Sequence, residues 1–177
     1  MSKARSQRIN CANNLRQMTL AFKTWALDRE DTLPMNLGTN RGGTKEYVPE
    51  GPAFKHFQAL SNESANPRIL ICPSDTRRPA LDIAGLSNSN LSYFIGLDML
   101  DTNPQMFLIG DRNLTNGPLP PNRILTLNTN FPAAWTRELH RYQGNIGLAG
   151  GSVQQFSSSA LNGTIGNLSS SNRLAFP

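Results

Sequence analysis

Charge is scarce in this chain: Asp, Glu, Lys and Arg make up only 16% of its 177 residues. No stretch reaches the roughly 18 consecutive apolar residues that a membrane-crossing helix needs. No apolar signal-peptide region follows the first methionine either. As written, the chain reads as a soluble polypeptide, or as the rest of one whose hydrophobic leader lies upstream. The phosphate-binding pattern G-x-x-x-x-G-K-[ST], the G-x-S-x-G nucleophile elbow and the spaced EF-hand loop are all missing. Residues 144–151 (GNIGLAGG) look superficially like a dinucleotide loop, but a strand-like segment follows them where a helix is required. There is no internal repeat. Histidine and cysteine occur twice each, as His56 and His140 and as Cys11 and Cys72.

These shortages bound the chemistry. A Ser-His-Asp relay is spatial, so sequence does not rule it out. Still, His56 reads as a helix residue and His140 as hydrogen-bonded in a turn, and no enzyme is expected. Cys11 and Cys72 stand far apart with no neighbouring histidine, which is a poor pattern for zinc. In a cytosolic protein they would be unrelated buried thiols; in an exported one an even count suggests one disulfide. Asp98 with Asp101, or Asp111 with Asn113, could hold a hard cation through oxygen ligands, so calcium in a loop is the one metal left open and no other cofactor is expected. Turn and cap roles account for those residues more simply. Five Asn-x-Ser/Thr sites, at Asn62, Asn90, Asn113, Asn162 and Asn167, are what chance supplies in so Asn- and Ser-rich a chain.

The net charge is +5, from 17 basic and 12 acidic side chains. Beyond Lys3, Arg5 and Arg8 the arginines are scattered along the chain, with only Arg77 and Arg78 adjacent. A nucleic-acid reader would gather them on one face with aromatics interleaved, so no specific nucleic-acid partner is expected. The apolar fraction of 38% suffices for a core. Weakly charged polar composition of this kind suits an exported or surface domain.

What is present begins with the first thirty residues. Cys11, Leu15, Met18, Phe22 and Trp25 recur four and three apart, which places them on one stripe of a long helix. Proline at position 34 stops it, near residues 28–31. A Gly/Pro-rich loop follows over 36–52, with a short strand expected at 45–48. A helix is expected over 53–62, and a strand at RILIC (68–72). Strands are further expected within 90–97, 105–110 and 123–127. Residues 145–149 and 152–156 form a hairpin around Gly150-Gly151, a favourable two-residue turn. The Ser/Asn-rich last twenty residues carry no assigned element beyond an apolar patch at Leu174, Ala175 and Phe176. One long helix followed by closely spaced strands means α+β: a helix packed on an antiparallel sheet of about four to five strands. Residues 1–31 form the helix, and residues 32–177 one globular α+β unit.

Three segments carry a family resemblance. They are QRINCANNLRQMTLAFKTWALD, HFQALSNESANPRILICPSD with its terminal C-P-S-D, and HRYQGNIGLAGGSV from His140 to Val153. Together with the closing NRLAFP they resemble the bacterial pseudopilin-like proteins with a prepilin-type leader, in the type II secretion and type IV pilin superfamily. The likeness is to their H-x9-D-G group in particular. His140 and Gly151 keep that spacing, while Gly150 stands where the group has aspartate. A D-G or G-G pair both suit a hairpin turn, so a structural role for the motif survives the change and a metal or catalytic role for that aspartate does not.

The resemblance implies a leader cut by a prepilin peptidase and a helix anchored in the inner membrane. It implies a globular domain in the periplasm or at the cell surface, and packing of helices from other pilin or pseudopilin subunits into a filament. Residues 1–31 would be the periplasmic half of a longer helix, and Cys11 would pair with Cys72 across the helix–sheet interface. On this reading the chain is a non-enzymatic structural subunit, with Leu15, Met18, Phe22 and Trp25 packing on its own sheet. The alternative is a surface-displayed binding module of the same fold for carbohydrate, protein or DNA, which exposed aromatics at Tyr47, Tyr93, Trp135 and Tyr142 would favour.

Overall fold

A computed structural model describes residues 2–99, 103–168 and 172–177. Its first element, α1 (Lys3–Leu27), contains neither Gly nor Pro. At about 1.5 Å per residue its 25 residues run some 37 Å. Leu15, Met18, Phe22 and Trp25 are each at most 1% exposed, and burying side chains of this size stabilises the fold by about 2 kcal/mol apiece before entropy is charged. The helix stops where Glu30 and Asp31 turn left-handed, both at φ +55°. Arg29 closes the last turn by donating to the Trp25 carbonyl and stacking 4.0 Å from the centre of the Trp25 ring.

The segment from 28 to 92 is a layer of turns around one short helix, α2 (Ala53–Gln58), which ends earlier than the expected 62. Two strands expected here do not form. Lys45–Tyr47 is a single 3-10 turn, and Pro67–Leu70 is another, capped by the Asn66 side chain accepting from the Arg68 amide. RILIC has the composition of a strand, but its backbone is satisfied within its own 3-10 turn, by the Ser92 amide donating to the Leu70 carbonyl, and by α1 instead. Asn14 donates to the Ile71 carbonyl at 3.1 Å and Gln7 to the Pro73 carbonyl at 2.9 Å, while Leu70 is buried beneath α1. With those partners supplied, no sheet edge is required.

The main sheet holds β1 (Tyr93–Gly96), β2 (Phe107–Asp111), β4 (Ile124–Leu127), β6 (Gln143–Leu148), β7 (Val153–Ser157) and β8 (Asn172–Ala175). These six strands run antiparallel in the order β4-β8-β1-β2-β6-β7. The α+β class therefore holds, with more strands than the four to five expected. The addition is β8, which places Leu174 and Ala175 in the sheet interior between β4 and β1. A small ribbon of β3 (Leu114–Thr115) and β5 (Ala134–Trp135) and a third helix, α3 (Ser158–Gly166), were equally silent in sequence. The glycines at 163 and 166 lower the helical propensity of α3. Its Ser157 cap and the burial of Leu161 and Ile165 override that.

Two apolar clusters sit on opposite faces of the sheet. Tyr93, Ile95 and Ile109 face α1, where Gly147 lets the helix approach: a Cβ there would collide with the Thr19 hydroxyl and Ile109. Phe94, Ile146, Phe156 and Leu174 face α3 and the ribbon with Trp135. The β6–β7 loop has three residues rather than two. The Gly151 amide donates to the Leu148 carbonyl, the Leu148 amide donates to the Ser152 carbonyl, and Gly151 alone takes the left-handed conformation, at φ +99°. This is the turn-plus-bulge hairpin, in which only the third loop residue needs positive φ. Gly150 keeps an ordinary backbone.

Candidate functional site

β2 ends at Asp111 and the chain runs on through Arg112 and Asn113, three consecutive polar residues that each organise a different part of one site. Pairing opposite Tyr93 turns Asp111 toward α1, where it is fully buried. Its Oδ2 accepts from the Asn145 amide at 2.7 Å and from the Asn145 side chain at 2.9 Å; its Oδ1 accepts from the Cys11 thiol at 3.0 Å. Arg112 grips Asp75 of the C-P-S-D turn through Nε at 2.8 Å and NH2 at 2.9 Å, and reaches Glu138 at 2.6 Å. Burial alone would raise the Asp75 carboxyl; hydrogen bonds from Arg112 and Ser92 more than offset it and hold it below its ordinary value. Asn113 anchors the next loop from inside, its amide lying 2.9–3.2 Å from the carbonyls of Thr136, Glu138 and Gln143.

That loop presents His140. Leu139, Arg141 and Tyr142 around it all have positive φ, at 58°, 53° and 65°. Left-handed backbone costs a non-glycine residue on the order of 1 kcal/mol, and three such residues around one histidine mark a conformation that the surroundings enforce. The result is convergence. His140 Nε2 lies 3.3 Å from Cys72 Sγ and 3.4 Å from Asp111 Oδ2. Ligand atoms of Cys11, Cys72, Asp111 and His140 all fall within 4.8 Å of one another, and all four residues are buried.

Each member has a further partner. The Tyr93 hydroxyl is 3.4 Å from Cys11 Sγ; the Ser74 amide donates to Cys72 Sγ at 3.5 Å, and the Ser74 hydroxyl is 3.5 Å from His140 Nδ1. Burial raises the Tyr93 pKa well above the ordinary phenol value, so this hydroxyl stays protonated as a donor. Burial likewise lifts the Cys11 thiol well above its usual range, with Cys72 and Asp111 adding to it. The neighbouring Cys11 thiol is the main reason Cys72 falls to about 5, against burial and with help from His140. Burial raises Asp111 to about 6, although His140 pulls the other way. For His140, burial disfavours the imidazolium, but Cys72 and Asp111 together outweigh it and raise its pKa.

This is not the relay of a cysteine hydrolase. In such a relay the two imidazole nitrogens face different partners, nucleophile on one side and carboxylate on the other. Here Nε2 faces both the thiol and the carboxylate, while Nδ1 faces Ser74. A cleft of about 420 Å³ opens beside His140, lined by Arg5, Arg8, Ser74 and Arg141 among others. Cys72, the would-be nucleophile, is fully buried and does not line it.

No protein-family model matches the chain, and no curated protein or solved structure shows significant similarity to it.

The positions singled out in sequence distribute as follows. Cys11 and Cys72 come together as unbonded thiols. Leu15, Met18, Phe22 and Trp25 line the inner face of α1. Of the motif residues, His140 belongs to the buried cluster, whereas Gly150 and Gly151 lie in the β6–β7 loop beside Pro104 and Lys23. His56 sits elsewhere, buried, with Nδ1 2.7 Å from the Thr44 hydroxyl. Asp98 is engaged by Arg173 at 2.6 Å instead of forming a cation site, and Asp101 lies outside the described residues. Asp111 and Asn113 share no cation loop, since Asp111 serves the cluster and Asn113 the backbone of 136–143. Of the four aromatics that would have favoured a binding surface, Tyr93 and Trp135 are buried, Tyr47 is half-buried and Tyr142 is exposed. Asp111, Asn145 and Asn113 carried no site signal in sequence beyond the weak cation reading.

Proposed function

We propose that this chain is a structural subunit of a pseudopilus or type IV pilus-like filament. It would work in the periplasm or at the cell surface, tethered to the inner membrane by an apolar helical span continuous with α1. The observation that carries the reading is the disposition of apolar residues on α1. Its inner face is consumed by the chain's own sheet. The outer face carries Ile9, Leu20 and Leu27, exposed by 39%, 65% and 71%.

Leu20 follows Ile9 by 11 residues and Leu27 follows Leu20 by seven, about three and two helical turns, so the three stand on one line. Met18, buried, is nine residues from both Ile9 and Leu27, which puts it on the opposite side. Leu27 also rims a groove of about 340 Å³ between the end of α1 and the β6–β7 loop. An α-helix with one apolar stripe inward and a second, thinner one outward suits lateral packing against the equivalent helix of another subunit. One long helix along one face of an antiparallel sheet is also the arrangement that the resemblance of the three sequence segments implies.

Two measurements test this. The genomic sequence upstream of Lys3 should encode a G-F-T-L-x-E leader followed by an apolar span; an upstream sequence with neither sinks the proposal. Full-length protein should enter a sheared filament fraction, and Leu20→Glu with Leu27→Glu should remove it from that fraction while leaving the monomer's melting temperature unchanged. Filaments indifferent to both charges would also refute it.

A further inference from the structure

We propose that Cys11, Cys72, Asp111 and His140 bind one zinc ion as a closed structural site that fastens α1 to the sheet. The inference stands on the geometry of the cluster and is independent of the filament reading. The four donors come from four distant parts of the chain: α1, the turn after Pro67–Leu70, the end of β2 and the strained loop before β6. Two thiolates, an imidazole and a carboxylate form the borderline-soft donor set that zinc takes in tetrahedral sites. With Zn–S of about 2.3 Å and Zn–N or Zn–O of about 2.0–2.1 Å, a tetrahedron sets its ligand atoms about 3.3–3.8 Å apart. The contact of Cys72 with His140, at 3.3 Å, already has that spacing, and the ligand atoms of all four residues lie within 4.8 Å of one another. The Cys11 to Asp111 contact, at 3.0 Å, is a proton-bearing hydrogen bond that would lengthen once the proton leaves.

The surroundings are arranged as a zinc site requires. Asn145 occupies Asp111 Oδ2 twice over, leaving Oδ1, which now accepts only the Cys11 proton, as the ligand atom. Tyr93 supplies a hydroxyl to the Cys11 sulfur, the Ser74 amide a proton to Cys72, and the Ser74 hydroxyl an acceptor for the His140 Nδ1 proton. Each protein ligand thus has the outer partner that orients it and selects its ionisation or tautomer. Binding is balanced simply: one Zn²⁺ enters, both cysteines end as thiolates with His140 neutral, and the protons that Cys11 and the Cys72–His140 pair carried go to solvent. The loaded centre, with two thiolates and a carboxylate around a dication, carries one net negative charge. Arg5, Arg8 and Arg141 line the cleft next to it.

Burial of all four donors leaves no position open for substrate, so the role is structural. A disulfide between the same two cysteines is the competing chemistry. It would use neither His140 nor Asp111, and that difference decides the test.

The whole chain is stripped with chelator under reducing conditions, then titrated with zinc and, separately, with cobalt. Native mass spectrometry should find one zinc per chain. Cobalt should give thiolate charge-transfer absorption and the intense visible bands of a tetrahedral ion. Asp111→Asn and His140→Gln, which keep both thiols, should weaken zinc binding at least a hundredfold. Tyr93→Phe and Asn145→Ala, which keep all four ligands and guard against simple unfolding of the ligand variants, should weaken it about 10–100-fold. Three results overturn the proposal: a folded, reduced chain that takes up no zinc; a chain two hydrogens lighter that stays metal-free after reduction; or zinc uptake of unchanged affinity in His140→Gln and Cys72→Ser.

Discussion

His56 should make the fold acid-sensitive by a calculable amount. The residue lies on α2, fully buried, with Nδ1 2.7 Å from the Thr44 hydroxyl and Nε2 buried without a partner. Removal from water lowers its pKa from 6.5 to about 4. The unfolded chain therefore binds a proton between those values that the folded chain refuses. Stability from this residue is complete above pH 6.5 and drains away as pH falls toward 4. At about pH 4.5 nearly two pH units of the gap are used, worth roughly 2.5 kcal/mol at 1.36 kcal/mol per unit. Urea unfolding of wild type and His56→Gln should be compared at about pH 7 and pH 4.5 in the same salt. Asp111 and His140 titrate in both proteins and cancel in the difference. Wild type should lose about 2.5 kcal/mol more than the variant on acidification. Equal losses in the two proteins would refute the argument.

Two substitutions probe the frame around the cluster. Asp75→Asn removes a fully buried carboxylate from Arg112, which is itself only 19% exposed, and should cost about 3 kcal/mol in chemical denaturation; a loss under about 1 kcal/mol would mean the pair is dispensable. Gly144→Ala places a methyl group in the ring of Trp135, which is 2% exposed and closed in on its far side, and should lower the thermal midpoint with a cost of about 2 kcal/mol. An unchanged midpoint would show that the ribbon carrying Trp135 gives way freely.

Where local pattern and final environment agree, sequence was a sound guide. Spacing along residues 11–25 marks the inner stripe of α1 because a helix packed on a sheet needs apolar residues only at that period. FIGL, MFLIG and RILTL are dense in β-branched and aromatic residues because the sheet is covered on both faces. RILIC has the same composition and is a turn, since its own 3-10 bonds, the Ser92 amide and Asn14 on α1 satisfy its backbone. In α3, two glycines obscured a helix that burial of Leu161 and Ile165 holds in place. In β8, a short polar-flanked patch became an interior strand through partners on β1 and β4.

By itself the sequence determined an α+β chain with a long N-terminal helix, the face that helix buries, a hairpin near the glycine pair at 150–151, and two cysteines available to each other or to something else. Those features rest on periodicity and turn chemistry, which act over a few residues. Only the tertiary structure decided that Cys11 and Cys72 meet Asp111 and His140. Asp111 reaches the site because strand register turns it toward α1, and His140 because Asn113 and Arg112 hold a strained loop against the sheet. Neither cause operates between sequence neighbours, so no spacing in the chain could have announced it.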